Sequence, residues 1–237
     1  MNAIPVLVRR ELSSFFVSPI AYVVMTVFLM VAGLDFAYSY FSAESGQFAY
    51  DAIPLLLGDV GRMLIFLVPL LTMRVLSDEI NSGTIETLMT APVSNTDVVV
   101  SKFLGAFGFF VVMLIPMFAF PVMLYAVSGD AKPDTGPMIS GAAGLLLLGM
   151  AAISFGVCVS ACVRNQISAA VATALGLALL WWVGASDVGW LRYLGILYHF
   201  ESFAKGLIDT RDVVYFVTAT ALSLFGAVGV VAVRRWR

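Results

Sequence analysis

The chain has 237 residues, of which 61% are hydrophobic and only 12% are charged, and its mean hydropathy is +0.98. A soluble domain carries about 25% charged residues, so this composition excludes an ordinary soluble protein and predicts a polytopic membrane protein. The net charge of −2 says little, because the location of charge matters more than its sum in a membrane protein. The sequence has no basic patch interleaved with aromatic residues, which argues against nucleic-acid binding.

The first predicted element, residues 1–19, is an amphipathic helix in the cytoplasmic membrane interface. Apolar residues recur there at helical spacing. These residues are Ile4, Val8, Leu12 and Phe15. Pro19 marks a turn into the first membrane span. The apolar run that follows is too long for the core of a signal peptide, so we interpret it as a retained span.

Six apolar stretches are long enough to cross a hydrocarbon core of about 30 Å as helices. They are residues 20–41, 53–73, 103–127, 138–163, 168–185 and 213–233. The second is the weakest, because Pro54, Asp59 and Arg62 lie in its first half. Asp59 and Arg62 either form an ion pair or both lie at the outer interface, and we favour the interface.

The basic residues predict the orientation of the spans. Arg74, Lys102 and Arg164 abut span ends on one side, and three arginines lie in the last four residues. Because positive charge accumulates on the cytoplasmic side, we expect both termini in the cytoplasm. An even number of spans agrees with this, and the tyrosines and tryptophan of the opposite side suit an interfacial aromatic belt.

The sequence of the cytoplasmic loop, residues 74–102, predicts that the loop contains a short helix of about two turns. Thr84 is a favourable N-cap, Glu86 suits the positive end of the helix dipole, and Pro92 ends the helix. Its apolar stripe is Ile85, Leu88 and Met89. Ser94 and Asp97 then form a capping box for the next helix.

An isolated helix of this length is marginal in water. Two interpretations therefore remain open from the residues alone. Either a groove on a cytoplasmic partner holds the helix, or the loop is a turn on the membrane surface without a partner.

A semi-apolar segment, residues 186–212, precedes the last span. It is too short and too polar to cross the membrane twice, so we expect a broken, re-entrant helix that enters from the outside and is covered by protein or water. Its candidate functional residues are Trp190, Tyr193, His199 and Glu201. A lone histidine is more often hydrogen-bonded or interfacial than catalytic.

The sequence lacks the motifs of common enzymes. It has no P-loop, no H-E-x-x-H and no G-x-S-x-G. Cys158 and Cys162, four residues apart on a predicted helix, do not readily form a disulfide and do not make a zinc site. We predict no catalytic residue and no metal site. Ionisable residues are scarce in the spans, which argues against an ion-coupled transporter and suggests that a partner supplies the energy.

The small residues of the fourth and fifth spans let helices approach closely. Ordinary packing within the chain and a moving or dimerising interface both remain open.

Two stretches resemble a known family. The sequence MRVLSDEINSGTIETLMTAPVSNTDVVVSKFLGA resembles the segment between spans two and three of ABC-2 type permeases. The opening RRELSSFFVSPIAYVV resembles the same family, and particularly its gliding-motility (GldF-type) branch. The resemblance covers essentially the whole chain as one transmembrane domain, residues 1–237.

The resemblance implies that the short loop helix docks on a separately encoded ATPase. The residues that would carry this coupling are Glu79, Gly83, Thr84, Glu86, Leu88, Ala91 and Pro92. The N-terminal helix would flank the same ATPase through Arg9, Arg10 and Glu11. ATP and Mg²⁺ would bind to the ATPase, and this chain would hold no cofactor.

The resemblance also implies a working unit of two permease copies, identical or different, and two ATPases in a bacterial inner membrane. Residues 186–212 would line or cap an exit path, and the gliding-motility branch would add an auxiliary protein with a periplasmic domain. Export is the expected activity. The alternatives are mechanical transmission to a periplasmic partner without cargo, and a membrane scaffold or enzyme without an ATPase.

Overall fold

The computed structural model describes residues 3–42, 48–82, 94–127 and 134–235. Within these ranges the chain forms eleven helices and no strand, which confirms the all-α prediction. The helices are α1 (Ala3–Val17), α2 (Pro19–Ser42), α3 (Phe48–Thr72), α4 (Ser77–Ser82), α5 (Asn95–Met117), α6 (Ala119–Val127), α7 (Thr135–Cys162), α8 (Gln166–Gly184), α9 (Gly189–Arg192), α10 (Ile196–Ala204) and α11 (Thr210–Arg235).

Six helical stretches of the described residues are long and apolar enough to cross a membrane, as the sequence predicts. They are Pro19–Tyr38, Ile53–Ser82, Asn95–Ala126, Thr135–Cys162, Gln166–Gly184 and Thr210–Val233.

The third stretch begins as predicted, because its helix starts at Asn95, directly after the Ser94–Asp97 capping box, and continues through Lys102 into the apolar run. Farther along, it differs from the prediction of one uninterrupted span over 103–127. It is interrupted at Phe118, between α5 and α6. Pro121 explains the interruption, since its ring clashes with the carbonyl four residues earlier and removes a backbone donor.

The second stretch contains an ion pair that the sequence analysis did not favour. Arg62 donates a hydrogen bond to Asp59 one helical turn away. Pro54 and Pro69 both lie inside α3 without ending it.

Helix α7 is the centre of the bundle and packs against α3, α5, α8, α10 and α11. Its glycines permit these close contacts. A Cβ atom on Gly149 would lie 2.1 Å from a ring carbon of Phe110, and one on Gly156 would lie 2.2 Å from Thr72 Oγ1. The small residues of this span therefore serve packing within the chain. In contrast, only 22%, 17% and 22% of the residues in the spans of α2, α8 and α11 are buried, and each helix carries large exposed apolar side chains such as Leu34, Leu175 and Phe225.

Candidate functional site

Four charged side chains meet where α1, α4 and α5 converge, and we call them the ion cluster: Arg10, Glu11, Glu79 and Lys102. Lys102 lies at its centre, with its side chain only 3% exposed. Its Nζ atom is 2.8 Å from Glu79 Oε1 and 3.3 Å from Glu11 Oε2. One ammonium group therefore joins the N-terminal helix to the helices on either side of residues 83–93.

Arg10 completes the ion cluster from its exposed edge. Its Nη2 atom is 2.9 Å from Glu11 Oε1 and 3.7 Å from Glu79 Oε1. The hydrogen bond to Glu11 raises the pKa of Arg10 above its ordinary value. Two cations and two carboxylates leave the ion cluster without net charge, which lowers the cost of burying the Lys102 ammonium group.

The sequence of α5 explains how α1 comes so close. Gly105, three residues after Lys102, faces α1, and a Cβ atom there would lie 2.6 Å from Glu11 Cβ. Farther along the same helix, Phe15 stacks on Phe109 with ring centroids 5.3 Å apart. The apolar stripe of α1 thus packs onto α5, and this packing holds Glu11 beside Lys102.

Helix α4 is attached to the ends of α7 and α8. Ser160 Oγ on α7 accepts hydrogen bonds from the backbone N–H groups of Leu76 and Ser77, both at 3.1 Å. Gln166, the first residue of α8, donates to Asp78 and accepts from Arg74 Nε at 3.1 Å. A displacement of α4 must therefore move or break contacts with four other helices: α1, α5, α7 and α8.

The start of α5 is fixed by the predicted capping box. Asp97 N–H donates to Ser94 Oγ at 3.0 Å, and Ser94 N–H donates to Asp97 Oδ2 at 3.2 Å. The backbone N–H groups of Ser94 and Asp97 are thus both hydrogen-bonded within the first turn of the helix. The helix that follows residues 83–93 in the sequence therefore begins with a well-defined first turn.

The structure brings together part of the predicted coupling set. Glu79, Arg10 and Glu11 meet in the ion cluster, whereas Arg9 is exposed and lies outside it. The other predicted coupling residues, Gly83, Thr84, Glu86, Leu88, Ala91 and Pro92, lie outside the described residues. Lys102 was missed as a site residue. The available signal was a lysine within an apolar helical run, which requires a carboxylate partner when it is buried.

The 186–212 segment contains the two short helices α9 and α10. Trp190 on α9 and Tyr193 just after it are largely exposed, and Glu201 pairs with Lys205 Nζ at 2.7 Å. His199 is buried and hydrogen-bonded to Asp212. Among the described residues, no group of His, Cys, Asp or Glu has the arrangement of a metal site.

An open cavity of about 990 Å³ lies between α3, α8 and the 186–212 segment. Trp181, Leu197 and Phe200 contribute apolar surface to it. Its charged lining residues are Arg62, Asp134, Asp187, Arg192, Glu201 and Lys205. The cavity therefore combines apolar walls with charges of both signs.

The fold and these contacts define a multi-pass helical membrane protein with an ion cluster where α1, α4 and α5 converge. Residues 9–194 match the family model described as ABC-2 family transporter protein. The match covers more than half of the chain, so the chain belongs to the ABC-2 transporter family and is a membrane permease component of an ABC transporter. No curated protein shows a significant match.

Proposed function

We propose that this chain couples ATP hydrolysis by a separate ATPase subunit to export across the bacterial inner membrane. The observation that carries the proposal is the burial of Lys102 between Glu11 and Glu79. These contacts link α1 to α4 and α5, the two helices that flank residues 83–93 in the sequence. A force applied to that loop reaches all three helices together.

The energetic argument follows from the burial of the ion cluster. Separating a buried ion pair leaves unpaired charges in a medium of low dielectric constant, which costs several kcal/mol, about 3–5 in measured cases. Small displacements of the loop therefore move α1, α4 and α5 as a unit instead of opening the cluster. Ser160 and Gln166 pass the same displacement to α7 and α8.

The proposed assembly contains two ATPases and a second permease copy. The ATPases hold ATP and Mg²⁺ and dock at residues 83–93, with the N-terminal helix beside them. The exposed apolar faces of α2, α8 and α11 support contact with lipid and with another permease chain. In this assignment both termini are cytoplasmic, residues 186–212 face the periplasm, and a periplasmic auxiliary protein of the gliding-motility type binds there.

We predict that Glu86→Lys uncouples the ATPase without preventing membrane insertion. The substitution places a positive charge at the N-terminus of the predicted loop helix, where the helix dipole disfavours it, and on the face assigned to docking. The ATPase rate of the reconstituted complex should lose its dependence on the permease. Glu201→Lys, at the exposed Glu201 on the opposite face, is the matched control and should couple normally. Normal coupling in Glu86→Lys would show that the docking face is misplaced.

A further inference from the structure

His199 is the only histidine of the chain, and it is buried between the 186–212 segment and α11. Its side chain lies on α10 and the residue is 5% exposed, while Asp212 on α11 is 7% exposed. His199 Nδ1 is 2.6 Å from Asp212 Oδ1, and His199 Nε2 is 2.9 Å from the Tyr193 carbonyl oxygen. Both ring nitrogens therefore have a hydrogen-bond partner.

Both partners are acceptors when Asp212 is ionised. A neutral imidazole carries one donor and one acceptor, so it satisfies only one of these two contacts. The arrangement is complete when the His199–Asp212 pair holds one additional proton. That proton makes either an imidazolium beside a carboxylate or a neutral imidazole beside a carboxylic acid, and it belongs to the pair as a whole.

Among the described residues, the charged group in contact with the His199 imidazole ring is the Asp212 carboxyl group. The Tyr215 ring stacks on it with centroids 4.0 Å apart, and the rings of Tyr193 and Tyr198 lie beside it. The other charged groups on the surrounding elements have partners of their own or lie at the surface. These are Asp59 with Arg62 on α3, Glu201 with Lys205 on α10, Arg192 over the Tyr198 ring, Asp134 capping α7, Asp187 after α8, Asp209 accepting from the Arg211 backbone N–H, and Arg211 on α11.

On the sides that face away from α11, helix α10 packs against α3 and α7. Phe200 meets Gly61 on α3, and Phe203 meets Gly144 on α7. Ser140 Oγ contacts the Phe203 carbonyl oxygen at 2.8 Å. Toward α11, the polar connections are the His199–Asp212 contact and a hydrogen bond from the Tyr215 hydroxyl to the Leu194 carbonyl at 2.8 Å.

We propose that the His199–Asp212 pair is a proton-dependent latch that fastens residues 189–204 to α11. With the proton bound, both ring nitrogens are satisfied and the segment is held. Loss of the proton as the pH rises leaves an acceptor facing an acceptor at one of the two contacts. The hydrogen-bonded chain from the Tyr193 carbonyl through His199 to Asp212 is then broken at one link, and the hold on the segment is weakened. Histidine is suited to such a role because its charge changes near neutral pH. The latch does not depend on an ATPase.

The latch is tested on the purified full chain, made with an affinity tag free of histidine so that His199 is the only imidazole. Nitrogen-15 NMR of the labelled ring gives its protonation state at pH 6 and pH 9. Infrared spectroscopy detects a protonated carboxyl group. We expect the additional proton at pH 6, as a second ring N–H or as a carboxylic acid band, and its loss at pH 9.

Hydrogen exchange of residues 196–204 reports whether the segment is held. After correction for the intrinsic pH dependence of exchange, we expect about tenfold faster exchange at pH 9, the effect of one buried hydrogen bond. The Asp212→Asn amide donates to Nδ1 while Nε2–H still donates to Tyr193, so this variant should stay latched at both pH values. Glu201→Gln, which alters only the exposed pair with Lys205, should keep the pH response.

Three results would overturn the latch. The first is the absence of the additional proton at pH 6 by both spectroscopies. The second is wild-type exchange that does not change between the two pH values. The third is an Asp212→Asn variant that retains the wild-type response.

Discussion

Lys102→Met is expected to lower the free energy of unfolding by about 3 kcal/mol and to abolish stimulation of the partner ATPase. Methionine keeps most of the side-chain volume but leaves Glu11 and Glu79 facing each other without the central cation. Loss of one partner of a buried ion pair costs about 3–5 kcal/mol, and Arg10 compensates only from the exposed edge. Titration with a denaturing detergent measures the stability, and reconstitution measures the ATPase rate.

Two controls separate charge from packing. Lys205→Met removes a lysine whose side chain is 61% exposed and whose partner Glu201 is one turn away, so it should change stability by less than about 1 kcal/mol. The triple variant Glu11→Gln, Glu79→Gln, Lys102→Met has no buried charge left in the ion cluster and should be more stable than Lys102→Met alone. A triple variant no more stable than the single one would show that charge pairing does not hold these helices together.

Ser160→Ala is expected to lower the free energy of unfolding by about 3 kcal/mol and to loosen α4. The substitution leaves the backbone N–H groups of Leu76 and Ser77 without an acceptor in a buried site. Each unsatisfied buried donor costs about 1–3 kcal/mol. Detergent-induced unfolding and hydrogen exchange of residues 76–82 measure the two effects.

Ser154→Ala is the matched control for this variant. Ser154 is also fully buried on α7, but its hydroxyl donates only to the Ala151 carbonyl within the same helix. We expect a loss of less than about 1.5 kcal/mol and unchanged exchange at α4. Equal effects of the two substitutions would mean that Ser160 does not anchor α4.

Features encoded by neighbouring residues were predictable from the sequence. The six spans follow from the length of apolar runs, and the capping box follows from Ser94 and Asp97, three residues apart. The break at Phe118 also had a local signal, since Pro116 and Pro121 flank it, but the length of the apolar run masked it. Local signals of this kind depend only on backbone sterics and hydrogen bonding within one turn.

Contacts between distant residues were not predictable in the same way. Lys102 contacts Glu11, which is 91 positions away in the sequence, and neither residue lies in a sequence pattern that identifies the other as its partner. His199 was expected to be hydrogen-bonded. Its partner Asp212 could not be identified from the sequence, because only the packing of α10 against α11 in the folded chain brings the two side chains together. The coupling residues from Gly83 to Pro92 stay a prediction from resemblance.

The most direct test of the central claim is purification of the tagged chain in mild detergent with an ATPase assay on the eluate. The proposal predicts that a P-loop ATPase co-purifies, that it is lost when Gly83 and Thr84 are replaced, and that Lys102→Met retains the complex but loses stimulation by the permease. A stable preparation without an ATPase would contradict the proposal and favour a scaffold or an enzyme. A complex whose ATPase rate is unaffected by Lys102→Met would remove the ion cluster from the coupling path.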